Sequence, residues 1–297
     1  MNLTFDTLNY QIRSMLWLKL LHILRPLIKS SSMDLPLVTH KTESSNSLNS
    51  LQQHEKFHNL VIQGITADSR QVKKDFIFVA IAGTKHDGHQ HIMSACQQGA
   101  AVIVVEKSEY VTASYVNELA AQSSSMHSVL VLQVTSSREA LDLLAAEFYQ
   151  QPSQQMLMLG VTGTNGKTSI TYLLEWVLNR ISFPCGVLGT VDHHFLENVW
   201  QTENTTPGPV ELHSRLKEIK DLGAKAIAME VSSHALEQSR ADGVHFDVVI
   251  FTNLTRDHLD YHSDMKTYFQ AKQRLFSDLI WKTNKRTPFA IINTDDA

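Results

Sequence analysis

The chain has 297 residues, of which 43% are hydrophobic and 19% are charged, and its mass is 33.5 kDa. This composition suits a soluble globular protein of about two domains and excludes a collagen, a mucin and a polytopic membrane protein. The net charge of -4 argues against a broad nucleic-acid-binding surface. The two cysteines, Cys96 and Cys185, are too few for a disulfide scaffold and favour a reducing compartment.

The first 55 residues differ from the rest of the chain. Residues 8–28 mix apolar with basic residues, so no apolar run reaches the ~18–20 residues that span a membrane. No cleavage site of a secretory signal follows. Two interpretations stay open: a basic amphipathic helix that rests on a membrane or a partner, and an extension ahead of the true start, since Met15 and Met33 could each initiate. Residues 39–55 are rich in Ser and Asn, which is typical of a poorly ordered linker.

From residue 56 onward the chain alternates strand and helix patterns. Apolar runs predict strands at 76–81, 101–105 and 129–134, with helical spacing at Ile92, Ala95, Cys96 and at Leu141, Leu144, Ala145, Phe148. Gln151-Pro152-Ser153 interrupts this series, so we expect one α/β domain over 56–152 and another over 153–297.

Histidines are frequent in the first of these domains and just before it. His54, His58, His86, His89 and His91 lie in segments that lack strand or helix periodicity. We expect solvated loop side chains there rather than metal ligands.

The second domain repeats the alternation. Strands are predicted at 156–161, 187–191, 226–231, 248–252 and 289–293, and helices at 170–181 and 210–222. Strands that are apolar on both faces, with helices between them, predict an α/β fold with a mostly parallel sheet covered on both sides.

A glycine-rich segment, Gly160-Val-Thr-Gly-Thr-Asn-Gly-Lys-Thr168, joins the first of these strands to a helix. Strand, glycine turn, Lys-Thr and helix together favour a phosphate-binding loop, since backbone N–H groups and the helix N-terminus attract an anion. Lys167 would neutralise the β- and γ-phosphates, and the Thr168 hydroxyl would bind Mg²⁺. The strict motif would place a glycine at Val161, where this chain has none.

Further polar residues follow neighbouring strands. Glu230 lies near the end of a buried strand, where open α/β sheets bind ligands, and is a candidate ligand of a second metal or a water-mediated Mg²⁺ ligand. Residues 253–262 add a dense set of polar and ionisable groups. Lys272 lies on a predicted helix among apolar residues, and its spacing alone predicts only a lysine whose stem packs on the core.

Three motifs together resemble the Mur ligases of peptidoglycan synthesis, most closely the member that adds the third residue of the stem peptide. They are the phosphate loop, Glu230-Val-Ser-Ser-His-Ala-Leu236 and Thr252-Asn-Leu-Thr-Arg-Asp-His-Leu-Asp-Tyr-His262. Asp68-Ser-Arg70, followed by Phe76–Ala80 and Gly83, resembles the family's UDP-binding domain. The phosphate loop is shared with folylpolyglutamate and cyanophycin synthetases, whereas the other two motifs are more specific.

The resemblance implies a role for each matching residue. ATP phosphates would be held by Gly163, Thr164, Asn165, Gly166, Lys167 and Thr168. The Mg²⁺ ligands would be Thr168, Glu230 and His258, and the catalytic residues would be Lys167, His258 and Lys272, the last as a lysine carbamylated by CO₂. Contacts to a UDP-muramyl dipeptide would come from Ser69, Thr84, Lys85, His86, Thr205, Thr206, Ser232, Gln238 and Arg240. A guanidinium at Arg240 suits recognition of a carboxylate.

The implied reaction has two steps. ATP phosphorylates the terminal carboxylate of UDP-N-acetylmuramoyl-L-alanyl-D-glutamate, and the amine of an amino acid then displaces phosphate from the acyl phosphate. The amino acid would be diaminopimelate or lysine, and diaminopimelate is favoured as the commoner substrate. We expect a cytoplasmic monomer that binds no nucleic acid and has no membrane span.

In the family a C-terminal domain selects the amino acid, and this sequence stops within the central domain. The expectation is therefore that residues 1–297 alone have little or no ligase activity. Two other classes stay open: a folylpolyglutamate-synthetase-like ligase, and a non-catalytic protein that still binds UDP-muramyl peptide or ATP.

Overall fold

A computed structural model describes Leu24, Leu27 and residues 60–83, 86–122, 129–285 and 287–295. Most of the predicted N-terminal helix, the linker at 39–55, His54, His58, Thr84 and Lys85 lie outside the described residues. The chain divides into two compact units, and the boundary lies between Phe148 and Tyr149. Within the described part, no helix is long and apolar enough to cross a membrane.

The first unit contains a four-stranded parallel sheet whose strands are neighbours in chain order. The strands are β1 (Gly64–Thr66), β2 (Phe76–Val79), β3 (Ala100–Val105) and β4 (Leu130–Gln133), and the helices are α1 (Ile92–Gln97), α2 (Ala113–Gln122) and α3 (Ser137–Phe148). Helices α1 and α2 share a buried core with β2 and β3, and α3 contacts β1 and β2. Leu24 and Leu27 are buried, and the Leu27 carbonyl accepts a hydrogen bond from Thr135 N just beyond β4.

His89 is buried, so the prediction of a solvated loop side chain is wrong for this residue. It lies in a short 3-10 helix, Gly88–His91, and is only 1% exposed. Its Nδ1 is 2.7 Å from Asp87 Oδ1, and its Nε2 accepts a hydrogen bond from Glu106 N at 3.3 Å. Lys107 balances the charge of Asp87. These polar partners make burial of the His89 ring possible. The other two described histidines of the set, His86 and His91, are exposed.

The second unit contains a seven-stranded sheet in the order β11-β10-β5-β9-β6-β7-β8. Its strands are β5 (Leu157–Thr162), β6 (Cys185–Leu188), β7 (His193–Phe195), β8 (Asn198–Trp200), β9 (Ala226–Glu230), β10 (Val248–Phe251) and β11 (Phe289–Ile292). The five strands from β11 to β6 are parallel, as expected. The antiparallel hairpin of β7 and β8 at one edge was not predicted from the sequence.

Helices cover both faces of this sheet. They are α4 (Lys167–Arg180), α5 (Pro209–Asp221), α6 (Ser233–Glu237) and α7 (Met265–Ser277). Leu174 and Leu178 of α4 pack against Ala226 and Ala228. Residues of α5, α6 and α7 form the larger core on buried side chains that include Met158 and Met229. This arrangement brings the carboxyl ends of β5, β6, β9 and β10 to one edge of the sheet.

Candidate active site

A cavity of about 440 Å³ opens in the second unit among residues that follow these strand ends. Its wall combines cationic, carboxylate and hydroxyl side chains with the phosphate loop. The lining residues are Thr164, Lys167, Thr190, Glu203, Asn204, Thr205, Thr206, Ser232, Ser233, His234, Arg240, Asp257, His258 and Lys272. A cavity that gathers so many polar groups from separate elements is the candidate active site.

The phosphate loop is the segment Gly163–Gly166, since Gly160 lies within β5. Gly163 has φ +141°, and a Cβ built on it would lie 2.0 Å from Thr252 Oγ1, so only glycine fits there. The N–H groups of Thr164 and Asn165 already donate to Asn253, at 2.9 Å each. The N–H groups at the start of α4, which has no side-chain cap, are therefore the ones available to an anion.

Two lysines converge on the carbonyl of Gly163. Lys167 Nζ donates to Gly163 O at 3.0 Å and to Thr164 O at 2.8 Å, and Lys272 Nζ donates to Gly163 O at 2.8 Å. Burial, aided by the charge of Lys167, lowers the pKa of Lys272 to about 7. Burial also lowers the pKa of Lys167, which Glu230 and Asp257 oppose. Lys272 is 2% exposed, so α7 carries a partly neutral amine into the site at neutral pH.

Glu230 ends β9 as a buried carboxylate with three hydrogen bonds. Its Oε1 accepts from Thr168 Oγ1 at 2.9 Å and from Thr190 N at 3.0 Å, and its Oε2 accepts from Thr190 Oγ1 at 3.1 Å. A hydroxyl and a carboxylate side by side at a phosphate loop are the hard oxygen donors that Mg²⁺ prefers. These residues fit the expected Mg²⁺ site. The described residues contain no group of three or more His, Cys, Asp or Glu that could hold a metal without other donors.

Arg240 is held in a fixed position on the cavity wall. Gln238 Oε1 accepts from Arg240 Nε at 3.1 Å and from Nη2 at 2.7 Å, and Thr206 O accepts from Nη1 at 2.9 Å. Gln238 does not line the cavity itself, and its amide donates to the Tyr261 hydroxyl at 2.9 Å. The guanidinium is thereby oriented before any ligand arrives, which reduces the entropy lost on binding a carboxylate.

His258 adopts a left-handed backbone conformation with φ +52°, which is unusual for a residue other than glycine. Its N–H donates to Asp257 Oδ1 at 2.8 Å, and its ring lies 5.1 Å from that of His234 and 6.0 Å from that of Tyr268. Such strain is stored most often at functional sites. Burial, with the neighbouring His258, lowers the pKa of His234.

Outside the loop residues Gly163, Asn165 and Gly166, the predicted site residues that the structure describes fall into three groups. Lys167, Lys272, His258, Thr205, Thr206, Ser232 and Arg240 line one cavity, together with Thr164 of the loop. Glu230 and Gln238 contact that lining through Thr190 and Arg240, and Thr168 donates to Glu230. Ser69 and His86 lie in the first unit, where the Ser69 carbonyl accepts a hydrogen bond from Gln98.

Six lining residues had no role predicted from the sequence: Thr190, Glu203, Asn204, Ser233, His234 and Asp257. His262, which contacts Ser233, had none either. Asp257, Ser233 and His262 belong to the quoted motifs, which were a usable signal. Thr190 follows β6, and no sequence pattern marked it as a site residue.

Two family models match the chain. The model described as "Mur ligase family, catalytic domain" matches residues 61–149, and the "Mur ligase middle domain" matches residues 161–297. The chain belongs to the Mur ligase family.

Curated relatives point to one branch of this family. The UDP-N-acetylmuramoyl-L-alanyl-D-glutamate–2,6-diaminopimelate ligase of Geobacter sulfurreducens is 43% identical over 237 residues, which are 80% of this chain and 44% of the relative. The ligase of the same name from Aquifex aeolicus is 40% identical over 235 residues, 79% of this chain and 44% of the relative. A solved structure of a ligase with that name matches with a TM-score of 0.65 and 26% identity, covering 91% of this chain and 48% of the other. The chain thus spans less than half the length of these relatives.

Proposed function

We propose that this chain forms the nucleotide- and muramyl-peptide-binding part of an ATP-dependent ligase. The enzyme would join meso-diaminopimelate to UDP-N-acetylmuramoyl-L-alanyl-D-glutamate in the cytoplasm, where both ATP and UDP-linked precursors occur. The observation that carries this proposal is the convergence of Lys167, Lys272 and Arg240 on one cavity beside the phosphate loop. The names of the curated relatives support the choice of substrates.

The chemistry needs positioning and charge neutralisation more than a nucleophilic side chain. A carboxylate oxygen of the peptide attacks the γ-phosphorus of ATP, and the bond from that phosphorus to the bridging oxygen of ADP breaks. The amine of diaminopimelate then attacks the acyl carbon, phosphate leaves with the bonding electrons, and the ammonium loses a proton. Lys167 would stabilise the charge that builds on the phosphoryl oxygens, while Arg240 would hold a peptide carboxylate in line.

Thr168, Glu230 and His258 would hold Mg²⁺, which would neutralise phosphate charge. Lys272 would carry the carbamate. Its neutral amine attacks CO₂, an N–C bond forms, and a proton leaves to solvent, so that a buried cation becomes an anion next to the site. The low pKa of about 7 supports this step, because only the neutral amine is nucleophilic.

The nucleotide half of the proposal is tested by calorimetric titration of the chain with Mg-ATP. Wild type should bind with a 1:1 stoichiometry, and Lys167→Met should bind at least tenfold more weakly because the phosphate charge is then unpaired. Lys266→Met, an exposed lysine of α7, is the matched control and should bind like wild type. Equal affinity of Lys167→Met and wild type would contradict the assigned role.

The carbamate is tested without any turnover assay. In ¹³C-bicarbonate, the NMR spectrum of wild type should show one carbamate resonance that is absent from Lys272→Arg and retained in Lys266→Arg. A spectrum of Lys272→Arg identical to that of wild type would remove Lys272 from the proposed mechanism.

A further inference from the structure

Two adjacent serines on the cavity wall have opposite hydrogen-bonding polarity. The Ser232 hydroxyl oxygen accepts from Ala235 N at 3.2 Å and lies 3.4 Å from Thr206 Oγ1. The Thr206 hydroxyl gives its own proton to the Glu230 carbonyl at 2.9 Å, so among the described residues the Ser232 proton meets only this distant oxygen. Ser232 therefore offers a donor to the cavity.

Ser233 presents the reverse arrangement. Its Oγ lies 3.0 Å from His262 Nε2, and the other ring nitrogen, Nδ1, lies 3.3 Å from Glu237 Oε2. A carboxylate stabilises a proton on the nitrogen that faces it, so Nδ1 carries the proton and Nε2 keeps a lone pair. The Ser233 hydroxyl must then donate to Nε2. Its oxygen lone pairs are what the cavity meets.

The surroundings hold this arrangement in place. His262 is 3% exposed and packs against the rings of Tyr268, Tyr261 and His234, at centroid distances of 5.2, 5.0 and 5.6 Å. Ser233 is 1% exposed, so a hydroxyl that loses its partner cannot turn to bulk water. The orientation of the hydroxyl is thus set by the protein before a ligand binds.

A donor beside an acceptor is the pattern that complements a peptide group, which has one C=O and one N–H. The cations Arg240 and Lys167 of the same wall match the anionic ends of a ligand, and the serine pair matches the amide group between those ends. Glu203 and Asp257 are also acceptors on this wall, but both are charged and exposed. Ser233 is an uncharged and buried acceptor.

We propose that Ser233 is a specificity-determining contact whose oxygen accepts a hydrogen bond from the amide N–H of a bound peptide. His262 and Glu237 are positioning residues that act through Ser233. The inference rests on the proposed function, since the ligand is the alanyl–glutamate amide of the UDP-muramyl dipeptide, and it adds to that function a reason why the substrate must be an amide.

The first test needs no ligand. ¹⁵N-histidine NMR of the whole chain, with the His262 signals assigned by their loss in His262→Gln, should show the Nδ1-protonated tautomer. Glu237→Ala should weaken that preference. An Nε2-protonated ring in wild type would overturn the inference, because the Ser233 hydroxyl would then be free to donate.

The second test compares the dipeptide with an analogue in which D-2-hydroxyglutarate replaces D-glutamate, so that an ester oxygen replaces the amide N–H. Wild type should bind the amide about tenfold more tightly than the ester, the size expected for one buried hydrogen bond. Ser233→Ala should bind the two ligands equally. Ser232→Ala should weaken both and keep their ratio, and Ser263→Ala, an exposed serine outside the cavity, should match wild type.

Rescue separates positioning from folding. His262→Gln places an amide oxygen near the position of Nε2 and should keep the discrimination between amide and ester, whereas His262→Phe should lose it. If wild type binds both ligands equally, the inference fails and the proposed function stands. If folded wild type binds neither ligand, the proposed function and the assignment of the ligand both fail. The His262 tautomer still shows whether the Ser233 hydroxyl donates to Nε2.

Discussion

Burying Lys272 as a cation should cost stability, and the cost should depend on pH with a sign that the structure fixes. The pKa of Lys272 falls from 10.5 to about 7 in the folded chain, first through burial and then through Lys167. Between these two values the unfolded chain binds more protons than the folded chain, so stability must rise with pH in that window. Below about pH 7 the full penalty applies.

The magnitude follows from the shift. Linkage at ~1.4 kcal/mol per pKa unit gives a penalty of about 5 kcal/mol at pH 6 and about 2 kcal/mol at pH 9. Lys272→Met keeps the side-chain volume and removes the ionisable group. The unfolding free energy of wild type, measured relative to that of the variant, should therefore increase by about 3 kcal/mol between pH 6 and pH 9.

The assay is urea unfolding in buffers free of CO₂, so that no carbamate forms. Tryptophan fluorescence reports mainly on the second unit, because Trp176, Trp200 and Trp281 lie there. Taking the difference between wild type and variant at each pH cancels the titration of other groups. A difference that stays constant from pH 6 to pH 9 would refute the claim that Lys272 is buried with a strongly lowered pKa.

Three further predictions concern single residues. Burial opposes protonation of His194, but Asp192 Oδ1 at 2.6 Å and Glu175 Oε2 at 3.1 Å raise its pKa overall. Protonated His194 therefore stabilises the fold fully below its pKa in the unfolded chain, and this stabilisation is lost as pH rises through its higher pKa in the folded chain. Urea unfolding should show wild type exceeding His194→Gln by more at pH 5.5 than at pH 8.5, and the opposite trend would count against the ion pairs. Gly163→Ala forces a Cβ onto Thr252 Oγ1 at positive φ. It should therefore lower the unfolding free energy by more than about 1 kcal/mol and abolish the Mg-ATP binding that calorimetry detects. Unchanged binding would show that the loop adapts. Arg240→Lys keeps the charge but not the fork held by Gln238, and should weaken muramyl-dipeptide binding at least tenfold while leaving Mg-ATP affinity unchanged; an equal loss of both would indicate general damage.

The sequence predicted those parts of the fold that depend on local pattern. The apolar runs at 156–161 and 226–231 correspond to β5 and β9, and the glycine loop falls between β5 and α4. The β7–β8 hairpin was missed, because its strands have three residues each, too few for a period to show. His89 was misassigned because its burial depends on the fold, which brings the Glu106 N–H to its Nε2, while the neighbouring Asp87 pairs with its Nδ1.

The candidate site also combines residues that the local sequence predicts with residues that only the fold brings together. Lys167 and Thr168 follow from a contiguous motif, and Glu230 follows from its place at a strand end. Lys272 could not be selected by spacing, because its hydrogen bond to Gly163 joins residues that are 109 positions apart. Ser233 and His262, 29 positions apart, likewise meet only in the folded chain.

The most direct test of the central claim is calorimetric titration of the purified chain with UDP-N-acetylmuramoyl-L-alanyl-D-glutamate, with tetrahydrofolate as the competing ligand class. We expect saturable binding of the muramyl dipeptide that is lost in Arg240→Ala, and no binding of tetrahydrofolate. A folded chain, verified by circular dichroism, that binds the folate or neither ligand would contradict it.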